Sequence, residues 1–301
     1  MKVFHSLEEY RESRWQYRPS CVTLGKFDGI HMGHRKLIRR VLDVASEKKL
    51  QSVVFAIEFR DSGILSHEER AQILEELGIE VLIECPFTRQ FREQTPEQFI
   101  KTVLRDLLRA RFVAVGTDFR FGYRRAGDAR QLKRCGKLCS YAAEIIEKER
   151  YLSEEISSTR VRDALARSDM ELVRALLGEP YRICGTVQHG KRLGSRLGLP
   201  TVNLIPADDK ILPMDGVYAS LTELADGTLV RGVTNIGMRP TVNGQERNIE
   251  TTLLDYSGDL YGSDIRISLT HYLRREIRFD SLEELKAQIR RDIIAAEPFF
   301  A

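Results

Sequence analysis

Apolar and polar positions follow two different periods in the first half of the chain. Short apolar runs, typical of buried strands, alternate with stretches in which apolar residues recur three or four positions apart, as on one face of a helix. The pattern predicts strands at 20–25, 52–59, 80–86 and 111–116, and helices at 34–48, 67–78 and 96–110. This alternation indicates an α/β fold with a parallel sheet and right-handed crossovers.

From Tyr181 onward the pattern changes to consecutive β segments. The predicted strands lie at 181–188, 201–205, 216–224, 228–236, 249–256 and 264–273. Asp226-Gly227 predicts the turn between two of them, and a single helix closes the chain. Two short helices, at 158–167 and 169–178, end the first half. We therefore expect two domains, residues 1–180 and residues 181–301.

Side chains suited to capping mark the start of three predicted helices. A Ser or Thr followed three residues later by Glu or Gln satisfies two backbone N–H groups that the first helical turn leaves unpaired. The pairs are Ser66 with Glu69, Thr95 with Gln98, and Ser281 with Glu284. Pro96 at the first helical position strengthens the second of these signals.

The composition predicts a soluble globular protein. The chain has 301 residues, of which 42% are hydrophobic and 30% charged, with a net charge of +3. No run of 18 apolar residues suggests a membrane span, and the start MKVFHSLEEYRESRW is too charged for a signal peptide. The five cysteines form no recognised zinc spacing, so we expect free thiols in a reducing cytoplasm.

The stretch LGKFDGIHMGHRKL, residues 24–37, links a buried strand to a helix. Such a turn in an open α/β sheet is where ligands bind. Its three glycines (Gly25, Gly29 and Gly33) permit tight turns and close approach of a ligand. The N-terminus of the following helix offers free N–H groups and a positive dipole end, which suit a phosphate.

His31 and His34 lie three residues apart at the start of this helix. They can donate hydrogen bonds to the phosphates of a nucleotide. They can also form part of a metal site, although no third ligand occurs at a recognised spacing, or they can be turn residues without a function.

A second open question concerns the stretch 120–137, which has seven basic residues and one acidic residue, Asp128. This stretch is either a polyanion site or a solvated face.

The second half contains oxygen-bearing side chains at positions that suit phosphate chemistry. Thr201 and Asn203 are two apart on a strand and point to one face, and their oxygens are ligands that Mg²⁺ accepts. Glu250 lies in an otherwise apolar strand, where it is either a proton acceptor for a hydroxyl or an exposed strand residue. The glycine-rich and basic segment 185–204 is either a phosphate-covering loop or a flexible edge of a barrel.

Three motifs in the first half resemble those of the bifunctional bacterial riboflavin kinases/FMN adenylyltransferases, also called FAD synthetases. They are GKFDGIHMGH (25–34), GTDFRFG (116–122) and ISSTRVR (156–162). The resemblance extends over nearly the whole chain, with both halves in the family's order. In the second half it rests on GTVQHG (185–190), PTVN (200–203), GVY (216–218), NIG (235–237), RPT (239–241), Glu250 and Leu273-Arg274.

The resemblance implies a Rossmann-like nucleotidylyltransferase domain followed by a six-stranded antiparallel β-barrel kinase domain with a terminal helix. It implies phosphorylation of riboflavin to FMN and adenylylation of FMN to FAD, both with ATP and Mg²⁺, and no nucleic-acid or membrane partner. The residues implied in nucleotide binding are Gly25, Phe27, Asp28, Gly29, His31, Gly33, His34, Asp118, Phe119, Ser158, Thr159, Arg162, Gly190, Gly194, Thr201 and Asn203. Glu250 is implied as the kinase base, His31 and His34 as catalytic in adenylyl transfer, and Thr201 and Asn203 as Mg²⁺ ligands.

The sequence departs from the family pattern at several positions. Val202 replaces an alanine, Ser195 an arginine and Thr252 a histidine. After the second predicted strand, Glu58-Phe59-Arg60-Asp61 stands where the family has a His-Pro pair and a longer loop. The alternative function is therefore a riboflavin kinase whose first half is a degenerate nucleotide-binding or regulatory module, and a nucleic-acid-binding regulator that uses stretch 120–137 is a third hypothesis.

Overall fold

The structure, a computed structural model, describes residues 1–58, 62–188, 201–241 and 244–300. The chain forms two compact units: Met1–Asp61 with His67–Ser157, and Ser62–Ser66 with Ser158–Ala301. The two helices predicted at 158–167 and 169–178 belong by their contacts to the second unit. The domain boundary expected between residues 180 and 181 stays a prediction. No helix within the described ranges is long and apolar enough to cross a membrane.

The first unit alternates strands and helices, as predicted. Its strands are β1 (Lys2–Phe4), β2 (Ser20–Gly25), β3 (Gln51–Glu58), β4 (Val81–Pro86), β5 (Ala110–Gly116), β6 (Arg120–Phe121), β7 (Gly127–Asp128), β8 (Ala142–Ile146), β9 (Arg150–Tyr151) and β10 (Glu154–Glu155). Its helices are α1 (Leu7–Glu12), α2 (Met32–Lys48), α3 (His67–Glu76), α4 (Arg89–Arg92), α5 (Pro96–Gln98) and α6 (Ala129–Gly136), with 3₁₀ turns at Arg14–Tyr17 and Tyr123–Arg125. Helix α5 continues as a π-helix, Phe99–Leu107.

Six parallel strands form the main sheet of this unit, in the order β1-β4-β3-β2-β5-β8. The chain builds outward from β2 on one side through β3 and β4, then returns to place β5 on the other side of β2. This reversal makes a topological switch point beside the carboxyl ends of β2 and β5, where α/β sheets bind ligands. The two glycine motifs at 25–34 and 116–122 begin at these two strand ends.

Several details of the first unit differ from the sequence prediction. The helix expected at 96–110 has the predicted Thr95–Gln98 capping box, but it widens into a π-helix after one turn. The edge strands β1 and β8 and helices α1 and α6 were not predicted, because these segments are short or carry few apolar residues in a regular period. Residue 59, at the predicted end of the second strand, lies outside the described residues.

The second unit contains helices α7 (Ser158–Ala166) and α8 (Met170–Leu177), six strands and a terminal helix. These elements were predicted, but the two short helices were expected in the first domain. The strands are β11 (Tyr181–Thr186), β12 (Thr201–Leu204), β13 (Gly216–Glu223), β14 (Leu229–Thr241), β15 (Gly244–Leu253) and β16 (Asp264–Arg274). Helix α9 (Leu282–Ala296) is followed by a 3₁₀ turn, Glu297–Phe299. Ser281 caps α9 by accepting from the backbone N–H of Glu284, which confirms the predicted cap. The Glu284 carboxylate accepts from the backbone N–H of Asp280 rather than that of Ser281. Strands β14 and β15 form a longer hairpin than the sequence indicates, because their pairing continues to Thr241 and Gly244.

The six strands form one antiparallel sheet in the order β11-β16-β13-β14-β15-β12. Its two edges meet where Gln188, just after β11, donates its backbone N–H to the carbonyl of Asn203 in β12, at 2.9 Å. This contact closes the sheet in the manner of the predicted barrel. Buried hydroxyls occupy part of the interior: Thr234 Oγ1 lies 2.8 Å from both Ser220 Oγ and Thr251 Oγ1.

On the outer face of this sheet, helix α9 packs against an apolar patch of β13 and β14. Val217, Ala219 and Val233 form this patch with Ala296 of the helix. Because side chains alternate along a strand, Asn235, two residues beyond Val233, lies on the same outer face. The part of the outer face that α9 covers therefore continues into a polar part that begins at Asn235.

Candidate active sites

The turn between β2 and α2 has an unusual backbone. Phe27, Gly29 and Ile30 all have positive φ angles, of 50°, 86° and 42°. Glycine adopts this conformation readily, but phenylalanine and isoleucine do so at a cost of order 1–3 kcal/mol each. Phe27 and Ile30 are completely buried, so their packing in the core stabilises a turn that the backbone alone disfavours. Such strained turns cluster at ligand sites.

Both histidines of the turn lie at the N-terminus of α2. His31 is the N-cap residue, and its Nδ1 accepts a hydrogen bond from the backbone N–H of His34 at 3.3 Å. The two imidazole rings stack with centroids 3.7 Å apart and planes 12° apart. A side chain at Gly33 would press on the His31 ring, because its Cβ would lie 3.2 Å from two ring atoms. Gly33 thus makes room for the stacked pair.

The stacked histidines are uncharged at neutral pH. Burial lowers the pKa of His31 to about 4, against the opposing effect of the Asp28 and Asp118 carboxylates. Burial, and secondarily the neighbouring His31, also lowers the pKa of His34 well below its usual value. Since Nδ1 of His31 accepts a hydrogen bond, the neutral ring carries its proton on Nε2. His34 Nδ1 is buried and has no hydrogen-bond partner among the described residues.

The second motif begins at the end of β5, across the switch point from the histidines. Asp118 forms an ion pair with Lys148 at 3.0 Å, and Lys148 also contacts Glu155 at 2.8 Å. These carboxylates raise the pKa of the Lys148 ammonium, Glu155 more than Asp118. A glycine is required at position 122, because its φ is 72° and an added Cβ would lie only 2.7 Å from the backbone nitrogen of Pro96. The motif is therefore held tightly against the start of α5.

A cavity of about 500 Å³ lies within the first unit beside these two motifs. Its lining combines aromatic rings with cationic side chains and includes Gly25, Lys26, Ile57, Phe87, Phe91, Arg92, Gln94, Phe99, Asp118, Phe119, Arg120, Phe121, Gly122, Tyr123, Arg124 and Arg125. The rings of Phe119 and Phe121 stack with centroids 5.5 Å apart, and Phe91 and Phe99 pack edge to face at 6.0 Å. The cavity suits a flat aromatic ligand that carries an anionic group.

The basic stretch 120–137 divides into two parts. Arg120, Arg124 and Arg125 line the cavity. The remaining basic residues (Arg130, Lys133, Arg134 and Lys137) are exposed on or just after α6. The second part forms a solvated face, whereas the polyanion site stays a prediction for the part that lines the cavity.

The third motif lies at the start of the second unit. Ser158 and Thr159 form the first turn of α7, and Arg162 follows one turn later. Arg162 donates a hydrogen bond from Nη2 to the carbonyl of Ser62 at 2.9 Å, within the same unit. Their implied role in holding a triphosphate stays a prediction.

Four predicted or implied polar positions of the second unit come together on the outer face of its sheet. Asn203 of β12 is the direct cross-strand partner of Glu250 in β15, and Glu250 is in turn the direct partner of Asn235 in β14. Thr201 lies two residues before Asn203 on the same face. Directly opposed side chains have Cβ atoms about 4.5–5.5 Å apart, so these four residues form one polar row across three strands.

The amide of Asn203 is oriented by a neighbour on β15. Asn248 Nδ2 donates to Asn203 Oδ1 at 3.2 Å, so the oxygen rather than the nitrogen faces that strand. A carbonyl oxygen has two lone pairs and retains one for another partner. Thr201 and Asn203 are both partly exposed, whereas Val202 and Leu204 between and after them are buried. The predicted alternation is confirmed, and the oxygen donor set fits a hard cation.

Some predicted site residues cannot be placed. Gly190 and Gly194 lie outside the described residues, as does most of the departure at 58–61. Within the part of the chain that the structure describes, no group of three or more His, Cys, Asp or Glu side chains suits a metal ion. Thr252, which stands in place of the family's histidine, is buried opposite Thr201.

Three parts of these sites were missed by the sequence reasoning. Phe91 and Phe99 line the cavity, but in sequence Phe99 is an ordinary apolar helix position and Phe91 lies outside every predicted element. Lys148 lies 30 residues beyond its partner Asp118 in the chain. Glu276 contacts Asn235 on the outer face of the second sheet, although the two residues are 41 positions apart in the sequence. A local pattern carries no signal for such contacts.

Known protein families match both halves of the chain in succession. A family model described as FAD synthetase matches residues 13–160, and one described as riboflavin kinase matches residues 177–300. Bifunctional riboflavin kinase/FMN adenylyltransferases are 36% identical in Haemophilus influenzae, over 93% of this chain and 94% of that protein, and 39% identical in Escherichia coli K12, over 93% of both. A crystal structure described as a macrolide-efflux protein from Streptococcus pneumoniae has a TM-score of 0.84 and 28% identity, over 98% of both chains.

These matches define a two-domain flavin-synthesising enzyme. The chain belongs to the family of bifunctional riboflavin kinase/FMN adenylyltransferases. The family predicted from the motifs is thus confirmed. The kinase-only alternative is not favoured, because the FAD synthetase model matches the first half despite the departure at 58–61.

Proposed function

We propose that the chain converts riboflavin to FMN and FMN to FAD, using ATP in each step, with the first unit carrying adenylyl transfer and the second carrying the kinase reaction. The observation that supports this most directly is the succession of an FAD synthetase match and a riboflavin kinase match along one chain. The sites described above supply suitable chemistry in each half.

Adenylyl transfer requires no protein nucleophile. The phosphate of FMN attacks the α-phosphorus of ATP and pyrophosphate leaves, so the protein has to position the reactants and stabilise the charge that develops on the leaving group. His31 carries an Nε2–H suited to a phosphate oxygen, at a helix N-terminus that also attracts anions. Gly25 and Gly29 let the backbone approach the nucleotide.

The cavity in the first unit is the proposed site of FMN. Its phenylalanine rings match the flat apolar ring system of the flavin, and Arg120, Arg124 and Arg125 offer charge for the FMN phosphate. Gly25 and Asp118 line this cavity, so a flavin bound there would lie next to the proposed nucleotide-binding turn. This supports flavin binding by the first unit without the His-Pro loop found elsewhere in the family.

In the kinase reaction, a hydroxyl of riboflavin attacks the γ-phosphorus of ATP. Glu250 accepts the hydroxyl proton, because it is the carboxylate of the polar row and lies on a strand between two amide-bearing strands. Thr201 and Asn203 would hold Mg²⁺, since their oxygens share one face with Glu250. Bound there, the cation would neutralise negative charge on the phosphates during the transfer. We further expect a reducing cytoplasmic location, in keeping with free thiols at all five cysteines.

Product analysis tests this function. The full chain is incubated with riboflavin, ATP and Mg²⁺, and separately with FMN, ATP and Mg²⁺, and products are identified by mass spectrometry. We expect FMN and then FAD in the first reaction, and FAD with pyrophosphate in the second. FMN that accumulates without FAD, even at saturating FMN, would establish the kinase-only alternative instead.

A further inference from the structure

A second carboxylate contacts the polar row of the second unit. Glu276 lies between the end of β16 and the start of α9, and its Oε1 accepts a hydrogen bond from Asn235 Nδ2 at 2.9 Å. Asn235 is the direct cross-strand partner of Glu250. Asn235 therefore binds Glu276 through its side-chain amide and lies directly beside Glu250 on the neighbouring strand.

The position of Glu276 depends on the absence of a side chain at Gly237. Gly237 follows Asn235 by two residues on β14 and so lies on the same face. A Cβ built at Gly237 would overlap Oε1 of Glu276 and lie 2.7 Å from its Oε2. The carboxylate thus occupies the space above the glycine, where it is within reach of Asn235.

The chain segment that carries Glu276 is fixed by a buried ion pair. Arg274, two residues earlier, makes two parallel hydrogen bonds to the carboxylate of Asp292 in α9, at 2.7 and 2.6 Å. Asp292 is buried and also accepts from Gln288 Nε2 at 2.8 Å. Bidentate arginine–carboxylate pairs define geometry as well as contributing energy. The pair anchors the connection between β16 and α9 next to the outer face.

We infer that Glu276 is a positioning residue of the kinase site. It acts through Asn235, by fixing which end of that amide faces the carboxylate and which end remains for the substrate beside Glu250. A carboxylate only accepts hydrogen bonds, so Glu276 binds the nitrogen of Asn235 and leaves its oxygen as an acceptor. An acceptor beside the base suits the hydroxyl-rich chain of the flavin substrate. The inference rests on the proposed kinase function of the second unit.

Two substitutions separate the hydrogen bond from the charge. Glu276→Gln retains an oxygen that accepts from Asn235, whereas Glu276→Ala removes it. We expect Glu276→Ala to lower kcat/KM for riboflavin phosphorylation about tenfold, mainly through kcat, and Glu276→Gln to remain within about threefold of wild type. Glu283→Gln, an exposed carboxylate in the first turn of α9, is the matched control and should leave the kinase unchanged.

A double-mutant cycle tests whether Gly237 and Glu276 act together. Gly237→Ala should displace the carboxylate and lower kcat/KM by a factor similar to that of Glu276→Ala. The double variant should be no worse than Glu276→Ala alone, because the interaction is already lost. FAD formation from supplied FMN and thermal unfolding, measured on the same proteins, show whether each variant is folded.

The outcomes distinguish this inference from the proposed function. A wild-type protein that makes no FMN would overturn the kinase function itself. A wild type that makes FMN, together with a folded Glu276→Ala variant within twofold of its kcat/KM, would overturn only the role of Glu276. Equal losses in the Gln and Ala variants, or additive effects in the cycle, would also contradict positioning through the Asn235 hydrogen bond.

Discussion

Asn203 and Glu250 are direct cross-strand partners on β12 and β15 and face the same side of the sheet. An amide oxygen and a carboxylate are thereby held side by side, which suits a cation-bound phosphate next to a hydroxyl that loses its proton. Both strands belong to one closed sheet, so this spacing is set by backbone pairing and not by a loop. The proposed kinase site thus rests on paired strands.

Replacement of the Glu250 carboxylate by an amide tests its proposed role as the base of the kinase reaction. Glu250→Gln preserves the shape of the side chain but accepts no proton at neutral pH. We expect FMN formation to fall by roughly a hundredfold or more, while FAD formation from supplied FMN persists. Glu223→Gln on β13 is the control, because it removes a partly exposed strand carboxylate away from the row. Near-normal FMN formation by Glu250→Gln would rule out the assignment.

Variants of Thr201 and Asn203 test the Mg²⁺ site. Asn203→Ala and Thr201→Ala remove one oxygen donor each, so the kinase should require a higher Mg²⁺ concentration for half-maximal rate, by roughly tenfold or more. Thr201→Ser keeps the hydroxyl and should remain close to wild type. Adenylyl transfer is measured in parallel. If the two activities fall equally in folded variants, these residues do not form a dedicated kinase site.

Local chemistry explains which parts of the structure could be predicted from the sequence. Capping boxes such as Thr95–Gln98, and the apolar run of β2, depend on residues a few positions apart, and the structure confirms both. Motif resemblance proposed His31 and Glu250 as site residues, and their roles stay predictions. The contact of Glu276 with Asn235 depends on the return of the chain after β16 and on the missing side chain of Gly237. Pairing across that distance is a property of the folded sheet and has no local signal.

The lining of the cavity in the first unit likewise could not be predicted from local sequence patterns. Phe119 was implied by a motif, whereas Phe99 is an ordinary apolar position of a predicted helix. Phe91 lies in a segment for which no element was predicted. Only the fold shows that the three rings line one space of about 500 Å³. The conversion of the helix after Gln98 into a π-helix was also not predictable, since its apolar spacing resembles that of an α-helix.

The aromatic lining of the cavity predicts an effect on flavin affinity. Phe119→Ala removes a ring that stacks on Phe121 at 5.5 Å, so it should raise the KM for FMN in FAD formation by roughly tenfold. The KM for ATP should change little if the cavity holds the flavin. Phe119→Leu, which keeps apolar volume, should show a smaller effect. A rise in the KM for ATP alone would assign the cavity to the nucleotide.

The stacked histidines predict a selective loss of adenylyl transfer. His31→Ala and His34→Ala should each lower FAD formation from FMN by roughly tenfold to a thousandfold, because donors to the triphosphate are lost. Kinase activity should stay close to wild type. A metal pair would behave differently, since each variant would then lose a bound transition metal detectable by elemental analysis. Retention of full FAD formation by both variants would show that the turn does not take part.

The lowered pKa values of the two histidines also predict acid sensitivity of the first unit. The pKa of His31 is about 4 in the folded protein and about 6.5 in an unfolded chain, so the unfolded chain binds more protons between these values. Stability therefore falls as the pH decreases from about 6.5 to 4, by up to about 3 kcal/mol for this residue. The single tryptophan, Trp15, packs against the core of the first unit, and its fluorescence can follow urea unfolding of that unit at each pH.

Two histidine variants test whether His31, in the turn between β2 and α2, causes this acid sensitivity. His31→Asn retains a short polar cap for α2 but has no titrating ring, so its free energy of unfolding should depend less on pH between 6.5 and 4 than that of wild type. His271→Asn, in the second unit, should leave the Trp15 transition unchanged. The pH slope is the difference in protons bound by the unfolded and folded states. An unaltered slope in His31→Asn would mean that His31 is protonated alike in both states and is not neutral in the folded turn.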